Sequence, residues 1–302
     1  MLHLTTLTPV PPYDLPLTLN LLARYHIAVD MARAEQREYW RTLRSGAGLA
    51  LLRVVAAGTP QQPLCAVYLA AARGEIDTAQ LSARVQHMLT VSNDWRPFYE
   101  MARGDDQLWR IIAPMVGARF ILSESAFEAL ATTILEQQIS LRAAHKALRW
   151  LVEWAGDFLE YDGARFYAFP TPAQVAAATV EDLLPLKITF RRMRLLLEVA
   201  RGEAQGTLGL DTLCAQPDAY HALQRIKGIG HWSAALTLMR TRGIGEHILH
   251  NDVVLQAAVN STFFGLPGRA APQTVLDVFS RYAPYAAVAA FHVEMRRLHD
   301  YF

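Results

Sequence analysis

Apolar positions repeat with two different periods along the chain, and the change falls between residues 100 and 120. Before it, short runs rich in β-formers alternate with turn residues. Runs over 27–31, 38–43, 49–56 and 64–70, punctuated by Ser45-Gly46 and Gly58-Thr59-Pro60, predict strands. Pro11-Pro12-Tyr13-Asp14 opens a helix over 15–25 with Leu17, Leu21 and Leu22 on one face, and Asp77 caps another over 77–89. These elements together predict an antiparallel sheet backed by two helices. After the change, the pattern is helical almost throughout. Ser125-Ala126-Phe127-Glu128 has the order of a capping box, with Phe127, Leu130, Ala131, Ile134 and Leu135 as the buried stripe behind it. Ser140 starts a helix that Gly156 ends, Thr171-Pro172 caps another, and a helix over 191–203 leads through Gly206 and Gly209 to a further pair. Pro272 and Pro284 mark the approach to the last two helices. The fold class read from this order is α+β: an N-terminal antiparallel sheet domain with helices over 1–100, then an all-α region over 101–302.

Composition narrows the setting. A chain of 302 residues buries a substantial core, in two or three domains. Hydrophobic residues make up 52%, yet no apolar run is long enough to span a bilayer. Met1-Leu2-His3-Leu4-Thr5-Thr6 has neither the basic start nor the apolar centre of a signal peptide. The two cysteines, Cys65 and Cys214, fall in different inferred domains, which argues against a disulfide and excludes a four-cysteine cluster. The compartment inferred is the reducing cytoplasm. A net charge of +1 supplies no global field for nucleic acid, so any grip on phosphate must be local. Lys187, Arg191, Arg192, Arg194 and Arg201 form one basic stretch, which reads either as such a grip or as a solvated helix face. No internal repeat or low-complexity segment is apparent.

The sharpest local signal lies over 223–252. Leu223 and Ile226 lie on a first helical segment, and Ala234, Leu238 and Met239 form an apolar stripe on a second. Gly228-Ile229-Gly230 joins them. Two glycines around one buried aliphatic residue permit a tight turn and leave bare amide N–H groups at the start of the second helix. Such amides bind an anion without a lysine. After one helix and one loop comes Asn251-Asp252. Ahead of Val253-Val254-Leu255, Asp252 reads as a helix cap, and the hairpin upstream makes it a candidate catalyst as well, since one carboxylate can fill both roles.

These residues resemble the helix-hairpin-helix superfamily of DNA glycosylases, in particular the bacterial 3-methyladenine DNA glycosylase II type. The likeness rests on Pro11-Pro12-Tyr13-Asp14, on Ala126-Phe127-Glu128 through Gln137-Gln138-Ile139-Ser140, on Gly228 through Ala234, and on Asn251-Asp252. It implies that the region over 101–302 is a glycosylase core of two helical subdomains, with the hairpin at 219–242 and the catalytic loop at 246–253. It further implies an N-glycosylase that flips alkylated purines out of damaged double-stranded DNA and excises them, leaving an abasic site. Asp252 would stabilise the positive charge that builds on the sugar. Trp232 and Tyr285 would wall the base pocket, where a cationic base favours an electron-rich ring face. Gly228, Ile229, Gly230 and His231 would grip a phosphate, and Gln138 or Ile139 would wedge into the duplex. Lyase relatives carry a lysine where Trp232 stands, whereas Lys227 lies across the glycines, so monofunctional cleavage follows. The resemblance calls for no cofactor and no catalytic metal, leaves room for a structural monovalent cation at the hairpin, and suggests a cytoplasmic, nucleoid-associated monomer with no membrane contact. Two positions depart from it: Asn251 stands where a second acid is common, and Leu236 where a relative can carry an aromatic residue. The alternatives are a non-catalytic helix-hairpin-helix DNA-binding protein, a glycosylase for deaminated or oxidised bases, and a scaffold for protein partners in which Asp252 is only a cap.

Overall fold

The computed structural model describes residues 1–25 and 29–301. Strands β1 (Leu2–Leu7), β2 (Asp30–Arg33), β3 (Glu38–Ser45), β4 (Gly48–Thr59) and β5 (Gln62–Arg73) form one antiparallel sheet in the order β1-β5-β4-β3-β2. The predicted strand over 27–31 meets β2 at Asp30 and Met31, while residues 27 and 28 lie outside the described residues. Side chains alternate along β4. Ala50, Leu52 and Val54 pack under helices α1 (Leu15–Tyr25) and α2 (Thr78–Met88), and Leu49 and Leu51 face the opposite side. Asp77 caps α2 through the amides of Ala79 and Gln80, as its position predicts.

Two strand features depart from the sequence reading. β1 was not expected; it is an edge strand with a bulge between His3 and Thr5 and only Leu7 fully buried, so its hydrophobic signal is weak. The second half is also not helical throughout. Strands β6 (Phe158–Tyr161) and β7 (Ala164–Tyr167) form a hairpin about Asp162-Gly163, both at positive φ. Asp-Gly between alternating aromatic residues is a hairpin signal in its own right. Its Leu159 and Phe166 cover the far face of the main sheet at Trp40, Leu49 and Leu51.

The remaining elements are the helices α3 (Arg96–Arg103), α4 (Asp106–Ile112), α5 (Ala126–Glu136), α6 (Leu141–Ala155), α7 (Pro172–Ala176), α8 (Phe190–Ala204), α9 (Leu210–Ala215), α10 (Ala219–Gln224), α11 (His231–Arg242), α12 (Val253–Phe264), α13 (Pro272–Ser280) and α14 (Ala286–Tyr301). They close around two apolar cores. One gathers α5, α6 and α8 with the hairpin turn at Ile229; the other gathers α3 and α4 with α12, α13 and α14. Helix α11 runs between them, giving Ala234 and Leu238 to the first and Ala235 and Leu236 to the second. Each fully buried leucine or phenylalanine contributes roughly 1.5–3 kcal/mol, so both cores hold α11 in place.

The capping box at Ser125 is half realised. Its hydroxyl accepts from the Glu128 amide, but the Glu128 carboxylate turns away from the Ser125 amide to Arg41 at 2.6 Å and the Glu124 amide at 3.1 Å. Arg41, itself bonded to Asp30 at 3.0 Å, is 2% exposed, and a buried guanidinium left unpaired would be very costly. The ion pair therefore outcompetes the cap and ties the sheet to α5. Burial pushes the Glu128 carboxyl up to about 6 against the pull of Arg41.

Candidate active site

The hairpin turn depends on its first glycine. Gly228 has φ +98°, a left-handed conformation, and a Cβ there would stand 3.0 Å from the Leu195 side chain. Ile229 is buried beneath the turn. Gly230 differs: its backbone is extended, nothing lies within 4 Å of where a Cβ would sit, and it is exposed. No side chain caps α11, so its first amides face this open space. A monovalent cation is compatible with the turn. The carbonyls of Ile226 and Gly228 accept one hydrogen bond each, from Ile229 and Gln137, and a carbonyl has two lone pairs.

His231 does not face solvent. Its Nδ1 lies 2.5 Å from the Tyr220 hydroxyl and its Nε2 3.0 Å from the Ile248 carbonyl. Both contacts suit a neutral ring with the proton on Nε2. Burial, and then the neighbouring His250, lower its pKa. His231 thus ties the hairpin to the loop before Asp252, with His250 tilted against it at 4.0 Å between ring centres.

Asp252 is held from two sides. Oδ1 accepts from the amides of Val254 at 2.7 Å and Leu255 at 3.2 Å, the cap geometry, while Oδ2 accepts from the Trp232 indole N–H at 2.9 Å. Its own amide donates to Leu249 at 2.7 Å. The carboxyl group is half-buried and oriented. For Trp232, which the resemblance makes a pocket wall, the structure shows a contact that residue spacing does not: a direct bond to the Asp252 carboxyl group. Tyr285 sits just ahead of α14, half-buried, its ring 6.0 Å from Phe98, and packs on the same core as Trp232.

The two wedge candidates separate. Gln138 is exposed with φ +54°, whereas Ile139 is partly buried against the first core. Gln137, which the sequence reading did not single out, fixes this loop to the hairpin through bonds to Gly228 O at 3.3 Å and Ser233 Oγ at 2.9 Å. Of the basic stretch, Arg192 is buried and donates to the Gln137 carbonyl, while Lys187, Arg191, Arg194 and Arg201 are exposed. Arg240 bonds both carboxylate oxygens of Glu136, at 2.8 and 2.7 Å, and locks α11 to α5. Among the described residues no cluster of three His, Cys, Asp or Glu side chains has metal-site geometry, and no helix is long and apolar enough to cross a membrane.

No family model matches the chain. A DNA-3-methyladenine glycosylase of Bacillus subtilis is 35% identical over 158 residues, which is 52% of this chain and 52% of that protein. A putative DNA-3-methyladenine glycosylase of the same organism is 25% identical over 287 residues, 94% of this chain and 95% of its own. Among solved structures, a 3-methyladenine DNA glycosylase from Archaeoglobus fulgidus superposes with a TM-score of 0.82 over 99% of both chains at 22% identity. The fold is that of solved DNA glycosylases. In sequence the chain is similar to proteins named DNA-3-methyladenine glycosylase, and its match to the Bacillus subtilis protein first described spans about half the length of each.

Proposed function

We propose that the protein is a monofunctional DNA N-glycosylase that excises alkylated purines, of the 3-methyladenine and 7-methylguanine kind, from duplex DNA. The observation that carries this reading is the fixation of Asp252 by two backbone amides and the Trp232 indole, one helix and one loop after the hairpin. Backbone amides of the turn and of the start of α11 take a phosphate, Gln138 enters the space of the displaced base, and the flipped nucleotide meets Asp252. The C1′–N bond breaks with its electron pair leaving on the base, which neutralises the positive charge of an N-alkylated purine. Asp252 faces the sugar cation that forms, water adds to C1′, and the water's proton passes to Asp252 or to solvent. A cationic leaving group requires no acid. Trp232 and Tyr285 offer ring faces worth roughly 0.5–2 kcal/mol to such a cation.

No metal or cofactor takes part in this scheme; a structural monovalent cation, when bound, would sit on the hairpin carbonyls and stabilise the turn against phosphate. The protein is proposed to act as a cytoplasmic, nucleoid-associated monomer on damaged double-stranded DNA, with the sheet domain over 1–100 and the helical core over 101–302. The test is single-turnover excision from matched duplexes holding one 7-methylguanine or one uracil. Faster release of 7-methylguanine is expected; faster release of uracil would move the chain to the deaminated-base branch, and release of neither would leave a DNA-binding protein without chemistry.

A further inference from the structure

The segment 243–249 runs from the end of α11 toward Asp252, and behind it lies a cavity of about 410 Å³. That volume is typical of small-molecule sites, roughly 300–1,000 Å³. Its inner wall is apolar: Ala235 and Leu238 from α11, Leu249 and Leu255 on either side of Asp252, Ala290 and Phe291 from α14. Two carboxyls line the cavity: exposed Glu246 at the rim, and half-buried Glu294 beside the apolar side chains, one helical turn beyond Ala290. Tyr220 and His247, stacked at 3.8 Å, form an aromatic edge at the rim beside exposed Glu246 and Arg242. Asp252, Trp232 and Tyr285 are not part of the wall, so this space is separate from the carboxylate that the proposed chemistry uses.

A carboxyl among apolar side chains calls for a specific partner. The Arg242 guanidinium bonds to the Gln216 carbonyl, outside the wall. Burial, and after it the Asp252 charge, push the Glu294 carboxyl well above the usual range. We propose that the cavity is a second, non-catalytic binding site for a flat cationic N-heterocycle, its ring against Phe291 and its N–C–N edge paired with the Glu294 carboxylate. Such an edge presents two parallel N–H donors, the geometry that a carboxylate binds best. The site goes beyond base excision and stands whatever base the enzyme removes.

The test is isothermal titration of the full chain with 2-aminobenzimidazole, with indene as an apolar control of similar shape. The wild type is expected to bind the former well ahead of the latter. Glu294→Gln should weaken binding at least ~10-fold, as loss of a charge-assisted pair does. Glu294→Asp should recover part of the loss, and Ala290→Trp, which fills the space, should abolish binding while the melting transition persists. Saturating abasic duplex should leave the affinity within about threefold of its DNA-free value, because the sites are separate. Absence of wild-type binding at millimolar probe, equal binding by Glu294→Gln, equal binding by Ala290→Trp, or displacement by abasic DNA would each overturn the proposal.

Discussion

At Asp252 one side chain satisfies two demands, and the geometry separates them. Asparagine is an acceptable cap, so Oδ1 of Asp252→Asn can keep the Val254 and Leu255 amides. Its NH₂ would then face the Trp232 N–H, donor against donor, and turning the amide over only moves the conflict to the backbone. Excision is expected to fall at least ~10²-fold, with a cost of about 1–3 kcal/mol in stability. Trp232→Phe removes the clashing donor: in the Asp252→Asn background it should recover part of that stability and none of the activity. A double-mutant cycle of melting curves and single-turnover rates checks this, and near-normal excision by Asp252→Asn would remove it as catalyst. The same indole bears on the chemistry of the product. Lys227 is separated from Trp232 by the glycine turn, so borohydride should trap no protein–DNA adduct, and a stoichiometric adduct would show lyase chemistry instead.

At the level of the hairpin, the two glycines have different reasons to be there. Gly228→Ala meets a left-handed backbone and the Leu195 side chain, and should cost roughly 1–3 kcal/mol. Gly230→Val meets neither strain nor steric contact in the free protein. It should fold normally yet bind damaged and undamaged duplex more weakly, because its side chain enters the space left for a phosphate. Unchanged binding to both by fluorescence anisotropy would reduce the hairpin to a structural turn. The contrast shows what the residues disclose on their own. Caps and breakers act locally, so Asp77, Ser140, Gly156 and Thr171 mark their helices in sequence as they do in space. Edge strand β1 lacks a buried face to advertise it, and the β6–β7 hairpin is short enough to be hidden by the helical context. At the site, Asp252 and the glycines are legible from spacing. The Trp232–Asp252 bond, the turn of His231 toward Ile248 and the hold of Gln137 on Gly228 are products of packing between residues 17 to 91 positions apart, and no local pattern encodes them.

For the molecule as a whole, one buried histidine ties stability to pH. His292 is 0% exposed, and burial pushes its ring down to about 4. The folded pKa lies below the unfolded value of 6.5, so the unfolded chain binds more protons between the two. Its contribution is therefore complete above pH 6.5 and is lost as pH falls toward 4, by about 3 kcal/mol. Denaturant midpoints measured across that window should fall in the wild type and fall less in His292→Gln; parallel profiles would refute the assignment. His292 belongs to the core that α3 and α4 share with α12, α13 and α14. The chain contributes to this core early, leaves it to build the lobe of α5 through α10, and returns to complete it with its last helices. During synthesis on a ribosome, the sheet and the first lobe can therefore close while α3 and α4 still wait for α14. The half of the protein that holds Asp252 is the last to become solid, and a nascent chain halted before α14 emerges would carry a finished hairpin while α12, which Asp252 caps, has no α14 to pack on.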